Sequence, residues 1–164
     1  MTGNTKFAIL DDDFLRKMIG ECDSEVDRGF IYTLYYTGMH GSLLRILTKE
    51  NLVKEGPRYY LQWRRTKTNR AMQAPIPAEK VSTITVFLES KKKTLQWYNV
   101  LLKEIGARAG YQGLSTMSFR HTRCIRAWKE GRSLPEIMQV MGTSAQVALR
   151  NYSKLNDSQL DSDF

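Results

Sequence analysis

Two short stretches near the middle of this chain read as strands, while the segments on either side carry helical spacing. Tyr59-Tyr60-Leu61-Gln62-Trp63 is aromatic and strand-like, and Met72 to Ile76 forms a returning strand ended by Pro75 and Pro77. Between them Thr66-Lys67-Thr68-Asn69 has the composition of a turn, which puts Lys67 at or near a hairpin tip. The expected fold is α+β and mainly α: a helical bundle carrying a small two- or three-stranded antiparallel sheet.

The flanking helices can be placed in order. Residues 1–10 read as a loose lead. Asp11-Asp12-Asp13 opens an apolar pattern at Phe14, Leu15, Met18 and Ile19, a short helix with acids in its first turn. Asp23 or Ser24 caps a second helix that runs through Phe30, Ile31, Leu34 and Tyr35 toward Gly38. Gly38 and Gly41 bracket His40 in a turn ahead of a helix over Leu43 to Leu47. After Pro77 the spacing predicts helices over residues 78–89 and 95–109, the second with Trp97, Val100, Leu101 and Ile105 on one side. Gly110 to Gly113 breaks it, and Ser115 or Thr116 caps the next helix.

On that helix His121, Cys124, Ile125 and Trp128 share one arc of the wheel, and Arg123 and Arg126 fall opposite. Arg120 lies at the boundary, where a half-buried active-site arginine needs to be. His121 reads as a core or supporting histidine rather than a ligand. Gly131-Arg132-Ser133 closes the helix and caps another over Leu134 to Met141. Gly142-Thr143-Ser144 is a turn, a last helix runs from Ala145 to Tyr152, and residues 156–164 form an acidic, polar tail.

A chain of 164 residues suits one domain with a real core, so residues 1–164 are read as a single unit. The formal net charge of +8 favours a polyanionic partner. The lysines and arginines cluster in residues 64–70, 91–93 and 120–132. No segment approaches the roughly 20 apolar residues that a membrane helix requires, and the N-terminus has no signal-peptide core. Cys22 and Cys124 lie far apart without ligand spacing, and His40 and His121 are the only histidines. That set argues against a metal site and suits a reducing cytoplasm.

Four stretches carry chemistry: Thr37-Gly38-Met39-His40, Arg65-Thr66-Lys67-Thr68, Ser118-Phe119-Arg120-His121-Thr122 and Arg150-Asn151-Tyr152. An arginine near a helix start clamps phosphate oxygens through its planar fork, and a tyrosine phenol can attack the phosphorus and conserve the bond energy in a phosphodiester. Together these stretches resemble the catalytic domain of tyrosine recombinases, the phage-type integrases, in a divergent form of archaeal or viral type. The resemblance spans about residues 25–156.

It implies that Tyr152 is the nucleophile, Arg120 the second family arginine and Lys67 the hairpin lysine that protonates the leaving 5′-oxygen. It also implies a site-specific recombinase that integrates or excises a mobile element through a 3′-phosphotyrosine link, without a cofactor. Its partner would be double-stranded DNA, on which it associates as a dimer or tetramer. Arg64, Arg65 and Arg70 read as backbone contacts that position the duplex, with Arg150 beside the nucleophile as a further DNA contact. The separate helical domain that such enzymes place ahead of this one is expected to be absent, since little precedes Asp11.

Three family positions are substituted. His40 stands where the first arginine is usual, Met117 where a histidine precedes Arg120 by three, and Thr143 where a His or Trp follows the late glycine. Met117 moves no protons. Thr143 and His40 each supply a hydrogen-bond donor but not a guanidinium fork. Arg45, five residues beyond His40, points elsewhere. The substitutions suit either a slow enzyme or a recombinase fold that has lost catalysis and kept DNA binding. A plain helix-turn-helix reading of Leu134 to Arg150 is also open, with Gln146, Arg150 and Asn151 toward the major groove. A type IB topoisomerase would use similar groups.

Overall fold

A computed structural model describes residues 11–64 and 71–150. Two helices, α1 (Asp12–Gly20) and α2 (Glu25–Thr37), precede a sheet of β1 (Leu52–Glu55), β2 (Arg58–Arg64) and β3 (Ala71–Ile76). Four helices follow: α3 (Val81–Glu89), α4 (Leu95–Ala109), α5 (Thr116–Lys129) and α6 (Leu134–Met141). Residues 145–150 are helical again. The helices start where a side-chain oxygen takes an orphan backbone N–H, as Asp11 does from Phe14, Ser24 from Asp27 and Thr94 from Trp97. Ser133 accepts from Glu136 in the same way, with Glu136 returning the bond to the Ser133 N–H.

The sheet is antiparallel in the order β1-β2-β3, so its third strand is the outcome the sequence left open. Its register sets Tyr59 opposite Ile76, Leu61 opposite Ala74 and Trp63 opposite Met72. Met72, Ala74 and Ile76 alternate inward while Ala71, Gln73 and Pro75 face out. Pro75 does not end the strand. It pairs with Tyr60 inside it, which is tolerated because β3 is an edge.

The helix expected over Leu43 to Leu47 is a 3-10 helix over Gly41–Ile46, begun by His40 rather than by a serine or aspartate. The face assigned to α4 also needs correction. Trp97 and Val100 are 45% and 49% exposed, whereas Tyr98, Leu102, Ile105 and Gly106 are buried. Two contacts turn the helix that way: Tyr98 stacks on Phe30 at 4.7 Å between ring centroids, and Gly106 admits Leu114, whose Cδ1 lies 2.8 Å from an added Cβ.

The main core gathers Phe14, Phe30, Leu34, Leu61, Phe87 and Phe119, among others, between the helices and the inner face of the sheet. A smaller cluster of Cys124, Ala127, Ile137, Met141 and Ala148 lies under α6. α5 contributes to both clusters, through Phe119 to the first and through Cys124 and Ala127 to the second. Burial pushes the Cys22 thiol up to about 12, which keeps it protonated and unreactive near neutral pH. α2 and α3 meet at Gly29, where an added Cβ would lie 2.4 Å from the Thr83 carbonyl oxygen and 2.7 Å from Phe87 Cβ. Because the first of these is backbone, the strain outweighs alanine's better helix propensity. Gly29→Ala is expected to destabilise the fold by about 1–3 kcal/mol in urea unfolding; an unchanged midpoint would mean that the two helices slide apart at little cost.

Candidate functional site

The site forms where two helix C-termini converge on one arginine. α2 ends at Gly38, whose φ of 57° lets the chain leave the helix in the left-handed region, and α6 ends at Met141. Arg120, half-buried on α5, donates from Nη1 to the Gly38 carbonyl at 3.1 Å and from Nη2 to the Met141 carbonyl at 2.7 Å. A cation at a helix C-terminus meets the negative end of the helix dipole, and here a single guanidinium meets two.

His40 and Thr143 each lie two residues beyond an anchored carbonyl, so the arginine fixes the departure of both segments. Arg120 and Met141 are walls common to two small recesses. One holds His40 with Trp63 and Met72, and the other holds Thr143 with His121 and Met117. Arg120 therefore borders both His40 and Thr143, which occupy separate recesses.

His40 is exposed, and its ring is oriented by its own turn. Nδ1 lies 2.8 Å from Ser42 Oγ and accepts from the Ser42 backbone N–H at 3.3 Å. With Nδ1 accepting, the proton of the neutral ring is assigned to Nε2, which makes Nε2 the donor. Gly41 then passes close under the start of α5: a Cβ there would fall 2.6 Å from Thr116 Oγ1. The start of α5 is itself fixed by a reciprocal bond pair between Ser115 and Ser118, and by the Thr116 N–H donating to Asn99 Oδ1 at 3.0 Å. Asn99, Trp63 and Met72 were not legible as site residues. Asn99 sits on an amphipathic helix without a distinguishing pattern, and Trp63 and Met72 meet only through the strand register.

The Arg64–Ala71 pair is the last described rung of the hairpin, so its base lies one pair beyond the Trp63–Met72 rung that walls the His40 recess. Lys67, Arg65 and Arg70 lie outside the described residues, as does Tyr152, two positions after the exposed Arg150. Arg64 is exposed and, with the amides of Asn51, Gln62, Gln73 and Gln139, lines a groove of about 730 Å³. Met117 is 38% exposed at the first turn of α5. Trp128 Nε1 donates to the Ala148 carbonyl at 2.8 Å and ties residues 145–150 back to α5.

Arg123 and Arg126, on the side of α5 opposite the His121 and Cys124 arc, are half-buried because that side packs on α2; the Arg126 guanidinium lies 4.7 Å over the Tyr35 ring. Among the described residues no group of three or more His, Cys, Asp or Glu side chains is placed to hold a metal. No helix among them is long and apolar enough to cross a membrane.

No protein-family model matches the sequence, and no curated protein is similar to it. Solved structures are similar in fold. A XerA recombinase superposes with a TM-score of 0.75 at 18% identity, over 94% of this chain and 63% of that one. The XerH site-specific recombinase in its pre-cleavage complex with difH substrate gives 0.68 at 15%, over 85% of this chain and 48% of that one. The Tn1549 transposon integrase with a circular intermediate DNA gives 0.67 at 18%, over 85% and 58%. The chain thus spans less than two thirds of each of these proteins. Its mostly helical body with a three-stranded antiparallel sheet has the fold of tyrosine recombinase catalytic domains.

Because the Arg120 guanidinium bridges two half-sheltered carbonyls, Arg120→Ala is expected to cost about 2–4 kcal/mol in urea unfolding, and Arg120→Lys, which keeps one donor, about half of that. Equal stability of all three proteins would show that the bridge does not hold the two segments.

Proposed function

We propose that this domain is the catalytic part of a site-specific DNA recombinase that cuts and rejoins strands through Tyr152. The observation that carries the reading is that Arg120 borders both the recess of His40 and the recess of Thr143, in a fold shared with recombinases. In the proposed step the Tyr152 phenolate attacks the scissile phosphorus, a 3′-phosphotyrosine bond forms, and the bond to the 5′-oxygen breaks. Lys67 on the hairpin gives its proton to that leaving oxygen. His40 Nε2 and the Thr143 hydroxyl donate to the non-bridging oxygens, with Arg120 supplying charge at their centre. Its carbonyl contacts hold the guanidinium in place before the phosphate arrives, the kind of preorganisation that lowers a barrier. Rejoining reverses the step with a new 5′-hydroxyl, so no outside energy source is required.

Arg64, Arg65, Arg70 and Arg150 would grip the backbone of double-stranded DNA, with affinity falling steeply as salt rises. Integration or excision of a mobile element, by copies that assemble as a dimer or tetramer on DNA in the cytoplasm, completes the proposal. We assign residues 1–164 to a single domain and place the protein with the divergent archaeal or viral recombinases.

A second reading has one observation in its favour. Arg120 already satisfies two carbonyls, a structural role that needs no chemistry, and Met117 is exposed where a proton-handling group would serve. The domain would then bind DNA without cutting it.

Covalent trapping on nicked suicide duplexes separates the two. The expected result is a protein–DNA adduct on a denaturing gel that Tyr152→Phe abolishes. His40→Arg, which restores a guanidinium, is expected to speed adduct formation by roughly 10-fold or more. Salt-sensitive duplex binding with no adduct from either protein would establish the DNA-binding reading instead.

A further inference from the structure

Arg123 and Arg126 follow Arg120 along α5 by about 4.5 and 9 Å of helix rise, and the strand-transfer reading uses neither. Both line a pocket of about 460 Å³ at the far end of the sheet from the hairpin base. Its other walls include Tyr36 from α2, Pro57 and Arg58 at the turn into β2, Tyr59, and Pro75 and Pro77 where β3 ends. The Tyr59–Ile76 rung borders it, five rungs from Arg64–Ala71, which is about 17 Å along the strands.

Three features make this an anion site. Arg123 Nε and Arg126 Nη1 are buried, and neither has a hydrogen-bond partner. No Asp or Glu lines the pocket, although three arginines do. Burial, with repulsion from Arg126, holds the Arg123 pKa below its ordinary value, and Glu130 offsets this only in part. Buried charges in proteins are ordinarily paired, so two adjacent guanidiniums without a carboxylate complement an incoming anion.

The walls indicate which anion. Proline rings and the faces of Tyr36 and Tyr59 suit apolar groups, and a planar fork suits a carboxylate in bidentate contact. Burial pushes the Tyr36 phenol up to about 12, so it adds a neutral O–H to the pocket rather than a competing charge. A phosphodiester backbone offers such walls less apolar surface than a peptide with an apolar side chain does.

We propose that this pocket docks an acidic peptide segment of a partner protein. One side-chain carboxylate sits between Arg123 and Arg126, and an apolar neighbour lies against the tyrosine and proline surfaces. Arg58, exposed at the rim, draws the segment in. The site lies apart from Arg120, His40 and Thr143, so it stands whether or not the domain cuts DNA.

The test uses the full chain and a fluorescent decapeptide of alternating aspartate and leucine, followed by anisotropy. A matched peptide carries asparagine for aspartate. Expected are saturable binding of the acidic peptide only, and a loss of roughly tenfold or more in Arg126→Gln. Arg58→Gln, at an exposed position, is expected to weaken binding severalfold. Both variants should hold duplex DNA affinity within about twofold, as expected of charges outside the DNA contacts. Equal binding of the asparagine peptide, or unchanged binding in both variants, would overturn the proposal. So would a duplex that displaces the peptide while both variants lose DNA affinity in step, which would assign the pocket to DNA phosphates.

Discussion

The rest of the site depends on the bridge that Arg120 makes between Gly38 and Met141. Two helices from distant parts of the chain end at the same guanidinium, and each end carries one candidate phosphate donor two residues on. Helix termini leave carbonyls that must find partners, and one arginine with five N–H donors satisfies a carbonyl at each end. The donors that bind main chain also fix the charge that would face a phosphate.

α5 is the element on which this arrangement rests. Its first turn is held by Ser115, Ser118 and Asn99, its middle by the main core, and its later turns by the small cluster under α6. A helix buried on two sides cannot keep its charges on a solvent face. Arg123 and Arg126 therefore end up between α5, α2 and the sheet, with Tyr35 beneath one guanidinium.

Much of this was legible in the sequence, for identifiable reasons. Capping residues and glycines place helix ends by local chemistry, which is why Ser24, Gly38, Ser115 and Ser133 mark real boundaries. The aromatic run at residues 59–63 marks a real strand. What failed is what depends on neighbours. The apolar set on α4 was misassigned because Phe30 and Leu114, not periodicity, choose the buried face. The wheel set two arginines of α5 opposite its apolar arc, and their half-burial there was not legible because a wheel contains no second packing surface. At the site, His40, Arg120 and Thr143 were singled out by the resemblance, whereas Trp63 and Met72 come together only through strand register.

Pro75 has a consequence for how copies of this domain can meet. A proline paired within an edge strand turns its nitrogen outward, so the free border of β3 lacks a donor there. The opposite border is β1, only four residues long and ending in Lys54 and Glu55. Neither border offers a long, unbroken row of backbone donors and acceptors to a neighbouring strand. Joining sheet to sheet is therefore a poor route to a multimer for this protein.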